Sequence, residues 1–308
     1  MLARLQQVST LGALLFAALW AWVNLAAGRP GLAWVGVTLL LGGYALVMAL
    51  EMLVLRWAHG DDPAPRADPT TLFRAWWGEV LSAPAVFCWR QPFRSRRWPD
   101  QLPALSKHDA SPRSSPCPRR GVLLVHGYVC NRGVWNAWLQ RLTEQGTPFV
   151  AVNLEPVFGS IDDYVAQIEL AVQRLERCTG RAPVVVAHSM GGLAVRRWWA
   201  EPGNDSRVHH AVTLGTPHGG TWLARFAMTH NSKQMRQLSS WLHTLQQREP
   251  PDRNARFTCF YSHCDNIVFP PSTATLAGAD NRHLAGVAHV HMVERAEPFE
   301  VMQRWLNG

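Results

Sequence analysis

No charged side chain falls between Pro30 and Leu50, and between Leu11 and Ala27 the one polar side chain is Asn24. Each run approaches the roughly 20 residues that a helix needs to cross a bilayer. The six cysteines (Cys88, Cys117, Cys130, Cys178, Cys259, Cys264) show neither metal-ligand nor disulfide-framework spacing. That agrees with a reducing compartment and leaves only a Cys259–Cys264 pair open. No internal repeat is evident, which excludes a solenoid. Nor does the carboxyl-terminal part hold a basic face with interleaved base-stacking residues, so a nucleic-acid partner is not expected. The net charge of +8 is unevenly spread, with 13 Lys and Arg against 7 Asp and Glu in residues 1–120 and 17 against 15 in residues 121–308.

Between the two apolar runs lies only Gly28-Arg29-Pro30-Gly31, enough to reverse direction. A membrane hairpin is expected over 1–58, with helices at about 10–27 and 32–55. Trp20, Trp22, Trp34 and Trp57 sit towards segment ends, as interfacial anchoring predicts. Two other readings compete. The first run could be a cleaved signal peptide, for which Leu25-Ala26-Ala27 is a poor cleavage site. Both runs could also be buried core helices, a weaker reading because the rest of the chain supplies its own strands and helices. Positive charge gathers towards the termini of the hairpin: Arg4 before it, then Arg56, Arg66, Arg74, Arg90, Arg94, Arg96 and Arg97 after it, against Arg29 in the turn. This pattern predicts a multi-pass protein of the inner membrane with its large domain in the cytoplasm.

Residues 59–119 form a juxtamembrane region. From Thr70 to Leu81 the apolar Leu72, Phe73, Trp76, Trp77, Val80 and Leu81 recur at helical spacing, with Arg74 and Glu79 off that face. One reading lays this helix on the membrane surface with the following arginines at anionic headgroups. The other packs it against the large domain. The stretch from Leu102 to Arg119 is rich in Pro, Ser and Arg without periodicity and reads as a linker.

Residues 120–308 suffice for one compact domain. Val184-Val185-Val186 runs into Ala187-His188-Ser189-Met190-Gly191 and then into a helix-compatible stretch from Gly192 to Trp199. Strand, one-residue corner and helix lift a Ser hydroxyl above a sheet at a helix N-terminus, and the corner tolerates only small neighbours, hence Gly191 and Ala187. The all-apolar strand Gly121-Val122-Leu123-Leu124-Val125 leads into the turn His126-Gly127-Tyr128. A further strand from Val208 to Leu214 ends in Gly215-Thr216-Pro217-His218-Gly219-Gly220-Thr221. Phe257 to Ser262 is strand-like and is followed by Asp265, and Gly286-Val287-Ala288-His289 comes last. The acid and the base thus lie after the C-terminal ends of expected strands, where open parallel sheets place their ligands.

These passages, together with Asn131, Trp135 and Asp265-Asn266-Ile267-Val268, resemble the bacterial lipase and esterase branch of the α/β-hydrolases from about Arg120 to Gly308. The resemblance implies an α/β fold with a mostly parallel sheet of about six strands and helices on both faces. It also implies Ser189 as nucleophile, Asp265 as acid and His289 as base, in the chain order this fold uses. Backbone N–H groups of Tyr128 and Met190 would form the oxyanion hole, and His126, Gly127, His188 and Trp222 would surround the substrate. The chain departs from the commoner pattern at Ala187, Gly219 and Ala288, which touches substrate fit more than chemistry. A Ser hydroxyl needs a base that can later protonate the leaving group, and the base needs a carboxylate to hold its tautomer. Acyl-enzyme formation and hydrolysis by water then require no metal or organic cofactor.

Rivals remain for two roles. His291 lies two residues past His289 and would share its face on a strand, while Asp280 competes with Asp265 but sits in a polar stretch that suits a solvated turn. His218 is expected to shape the pocket or pair with backbone, and His209-His210 to be exposed. Between Trp222 and Arg248, the residues Trp222, Leu223, Phe226, Met235, Leu238, Trp241, Leu242 and Leu245 suggest a hydrophobic cap with an acyl pocket, against plain helix packing on the sheet. The expected activity is hydrolysis of carboxylic esters of lipid or acyl type beside a membrane. Thioester hydrolysis or acyl transfer by the same residues, and a non-catalytic membrane scaffold or transport component, stand as alternatives.

Overall fold

The computed structural model describes residues 1–102 and 119–308, so the expected linker lies almost wholly outside the described residues. Six strands form one parallel sheet: β1 Val122–Val125, β2 Phe149–Ala151, β3 Val184–His188, β4 His210–Leu214, β5 Phe257–Tyr261 and β6 Asp280–His283, in the spatial order β2-β1-β3-β4-β5-β6. Each step pairs in parallel register, for example Leu124 with Val186 and Val186 with Val212. Because strand side chains alternate faces, the continuous apolar runs feed two cores. Leu123, Val125, Val185 and Ala187 join one cluster, and Val122, Leu124, Val184 and Val186 the other.

Helices close both faces. With the amino-terminal helices counted first as α1 to α4, α6 (Val165–Thr179) and α7 (Met190–Trp199) pack Ile168, Leu175, Leu193 and Trp198 into the first core. On the opposite face α5 (Asn136–Glu144) and α10 (Ala296–Asn307) bring Trp138, Leu139, Phe299 and Met302 into the second. Between β4 and β5 the chain makes two short helices, α8 (His230–Gln234) and α9 (Ser240–Arg248). Here Met235, Leu242 and Leu245 turn into the core, whereas Phe226, Met228 and Leu238 stay exposed.

The amino-terminal part is a helical hairpin, α1 (Leu2–Ala26) and α2 (Pro30–Ala58), each long and apolar enough to cross a membrane. α1 starts well before the expected position near residue 10. Its polar first turns have partners, since Gln6 donates to Gln91 and Gln7 to the Pro92 carbonyl, while Leu2 is buried. α3 (Pro69–Pro84) starts at Asp68, whose carboxylate accepts the Thr70 and Thr71 amides. A π-helical turn (Ala85–Arg90) and the short α4 (Gln91–Arg94) follow.

Four expectations need correction. The face of α3 that packs inward carries Leu72, Ala75, Glu79, Ser82 and Ala83, while Phe73, Trp77 and Leu81 face outward. Small side chains let this helix approach the domain closely, which its large apolar residues would prevent. His210 is buried, donating to or accepting from Thr258 Oγ1 at 2.9 Å and stacked on Trp305. Asp280 opens the edge strand β6 instead of sitting in a loop, although it is solvated as expected and paired with Arg282. Cys259 and Cys264 are buried free thiols, which removes their pairing.

Candidate active site

The C-terminal ends of β1, β3, β4 and β5 gather one set of polar groups. Ser189 follows β3 directly with φ 55° and ψ −132°, a left-handed conformation that costs a non-glycine residue about 1–3 kcal/mol. Its amide donates to the Leu214 carbonyl at 2.9 Å, tying the corner to the end of β4. The close neighbour Gly191 is forced: a Cβ there would stand 2.5 Å from the His126 carbonyl oxygen. Met190 begins α7, so its N–H lacks an intrahelical acceptor. The Tyr128 amide is likewise without an acceptor among the described residues. Both amides are thereby free to donate to a group placed above the corner.

Asp265 and His289 meet in the interior, each at most 4 % exposed. His289 Nδ1 lies 2.9 Å from Oδ1 and 3.0 Å from Oδ2 of Asp265, while Asp265 Oδ1 also accepts the Ile267 and Val268 amides. With Nδ1 committed to the carboxylate, Nε2 is the nitrogen left for a hydroxyl. Burial alone would lower the imidazole's affinity for a proton, but the charge and hydrogen bond of Asp265, helped by Glu79, outweigh it and raise its pKa. Among the described residues no hydrogen bond joins Ser189 Oγ to His289; such bonds in unliganded sites commonly tighten only with substrate. Gly215, the residue after Leu214, has φ +54°, and a Cβ on it would stand 2.8 Å from Asp265 Oδ2 and 3.0 Å from His289 Nδ1. Only a hydrogen atom fits there, a constraint legible in the sequence as a glycine directly after a strand.

The remaining expected site residues fall into two groups. His126 is buried with both ring nitrogens used, Nδ1 against the Gly127 carbonyl and Nε2 accepting the Leu154 amide. Burial pulls its pKa down to about 4, so it stays neutral and pins the β1 turn to the strand beside it. His188 Nε2 reaches the His289 carbonyl at 3.2 Å, its ring 4.6 Å from the His289 ring, and burial holds its pKa well below the usual range. Gly127 lies against Ser189. Trp222 is half-buried, stacked on Phe269 and edge-on to Trp57 of α2. His218 is buried between Arg196 and Thr213, while His291 lies against α3 and has no contact with Asp265 among those described.

Two carboxylates that motif reading passed over belong to the amino-terminal helices. Glu79 of α3, 1 % exposed, accepts the Val290 amide at 3.0 Å and the His291 amide at 2.9 Å. Glu51 of α2 accepts from Asn266 Nδ2 at 2.6 Å, and Asn266 Oδ1 accepts the His289 amide at 3.2 Å. Around them Met52, Leu55, Leu72 and Ala75 form a third core cluster with Cys264, Phe269 and Ala288. The only local signal was a lone Glu off the apolar face of a helix, which ordinarily means solvent.

Residues 122–305 match the family described as "Alpha/beta hydrolase family". No curated protein matches the chain. Among solved structures, the mature form of Bacillus licheniformis lipase BlEst2 is similar at 16% identity and TM-score 0.55, over 63% of this chain and 94% of that one. Its propeptide form is similar at 17% identity and TM-score 0.54, over 63% and 51%. Aspergillus fumigatus lipase B is similar at 18% identity and TM-score 0.49, over 59% and 52%. At these identities the likeness to the two Bacillus licheniformis structures is one of fold.

Proposed function

We propose that this chain, which belongs to the alpha/beta hydrolase family, is a membrane-anchored serine hydrolase of carboxylic esters with lipid or acyl substrates. The observation that carries the reading is the buried pair of His289 Nδ1 and Asp265 beside a Ser held on a strained corner at the head of α7. Ser189 attacks the ester carbonyl while His289 Nε2 takes its proton. The amides of Tyr128 and Met190 hold the oxyanion, and His289 then protonates the leaving alcohol. Water, activated by the same imidazole, releases the acid from the acyl-enzyme.

The surroundings of the site support a lipid substrate. Trp222, Phe226 and Trp57 form a group of contacting aromatic rings where α2 meets the large domain. An apolar groove of about 520 Å³ runs between α2 and α3, walled by Met52, Leu53, Leu72, Phe73 and Trp76. The apolar side chains of α1 and α2 are mostly exposed, which suits lipid better than water. Both ends of the hairpin meet the large domain, Met1 through Glu155 and Glu51 through Asn266, so two crossings leave that domain on one side of the membrane. The arginine distribution makes that side the cytoplasm.

A fluorophosphonate probe applied to isolated membranes tests nucleophile and location together. Wild-type protein labels in the membrane fraction and cleaves short and medium acyl p-nitrophenyl esters, while Ser189→Ala does neither. Full labelling of the Ser189→Ala variant, or no turnover of any such ester by wild type, refutes the assignment.

A further inference from the structure

We infer that Glu79 and Glu51 are positioning residues for His289: two carboxylates of the amino-terminal helices clasp the segment that carries the imidazole, so the hairpin region completes the site as well as tethering it. The catalytic consequence rests on the hydrolase reading above, whereas the clasp itself rests on geometry. The segment from Gly286 to Val290 belongs to no strand or helix, so no ladder of backbone bonds fixes it. Three consecutive amides in and after it are instead held from outside. His289 N–H goes to Asn266 Oδ1, itself tied to Glu51, and Val290 and His291 N–H go to the two oxygens of Glu79. His188 holds the His289 carbonyl, and the Val290 carbonyl accepts the Val293 amide.

Packing alone would not place a carboxylate at position 79. Removing a carboxylate from water costs several kcal/mol unless its lone pairs are satisfied, and a hydrophobe of similar size would fill the same gap without that cost. Among the described residues Glu79 is satisfied solely by the two amides past His289, so its burial is tied to holding them. It also acts through charge. Burial raises the Glu79 pKa to about 7 against the pull of those two amides, and its negative charge favours the protonated imidazole. The ionisable groups around it are His289 and Asp265 across the segment and His291 on it, with Glu294 bonded to Ser82 and Arg90 farther along the same face.

The test uses the full-length protein in detergent micelles. Amide hydrogen exchange over residues 286–293 is measured together with kcat, KM and the pH profile of p-nitrophenyl ester hydrolysis, for wild type, Glu79→Ala, Glu79→Gln and Glu51→Ala. Glu79→Ala is expected to speed exchange in that segment alone and to lower kcat by about 10²-fold with KM unchanged, the effect of a misplaced reacting group. Glu79→Gln keeps one oxygen acceptor and regains part of kcat. Lacking the charge, it moves the acidic limb of kcat/KM to lower pH, because the imidazole then loses its proton more readily. Glu51→Ala gives the smaller loss, since it acts through Asn266. Wild-type exchange and kcat in both Ala variants overturn the clasp, as does faster exchange spread evenly over the domain, which would mark Glu79 as a general stability residue. A wild type without turnover, but with segment exchange responding as described, brings down the hydrolase reading and leaves the clasp standing.

Discussion

Trp198 and Trp22 belong to one chain and meet opposite surroundings. Trp198 is fully buried under the sheet with its Nε1 donating to Glu169, while Trp22 in α1 is 68% exposed. The contrast extends to whole regions. From β1 onward, most buried apolar side chains enter two cores, and the polar groups of the candidate site gather at the C-terminal ends of the strands. In the first hundred residues most large apolar side chains face outward, and of the five buried polar ones Glu79, Ser82 and Gln91 bond to the other region while Asn24 and His59 bond within their own. The same amino acids serve different solvents. In the membrane-anchored reading proposed above, one region is organised against water, and the other against lipid on one side and a protein surface on the other.

The largest expected effect lies entirely in the first of these regions. Ser189→Ala should lower ester turnover by about 10⁶-fold, as loss of the nucleophile does in enzymes of this logic, with binding of an unreacted ester retained. Asp265→Asn follows at about 10⁴-fold, because the ring then favours the wrong tautomer. Both are read from steady-state kinetics, and wild-type turnover by both variants would erase this polar cluster as a catalytic feature.

Stability sharpens the contrast directly. Trp198→Ala should destabilise the folded domain by about 3–5 kcal/mol, whereas Trp22→Ala should change unfolding by less than about 0.5 kcal/mol. Denaturant unfolding in micelles, followed by the near-ultraviolet signal of the remaining tryptophans, measures both. Equal losses would mean that α1 is a core helix. The smallest effect is in pH. The imidazole of His289 must be neutral to act as base, and its pKa is raised, so the acidic limb of kcat/KM should lie above 6.5 and fall in Asp265→Asn. A limb at or below 6.5 in wild type would contradict the buried pairing.

Much of this was local enough to read along the chain. A parallel strand buried on both faces must be continuously apolar, so Val122–Val125 and Val184–His188 announce themselves. A sharp corner demands Gly191, and a bilayer demands two long runs without charge. The strand β6 escaped notice because Asp280–His283 lies at an exposed edge and carries no apolar pattern. His210 escaped because the ring that covers it, Trp305, is 95 residues away in sequence.

The amino-acid sequence by itself determined the apolar central strands, the corner at Ser189 and the paired apolar helices, since each depends on side-chain size, polarity or backbone freedom within a few neighbouring residues. Tertiary structure alone decided that His289 and not His291 faces Asp265. It also decided that α3 turns Glu79 inward while Phe73 and Trp77 look out. Those choices depend on what lies across a gap between distant segments. A buried carboxylate is stable only where donors have been brought to meet it, and no pattern along α3 records where the amides of Val290 and His291 will be.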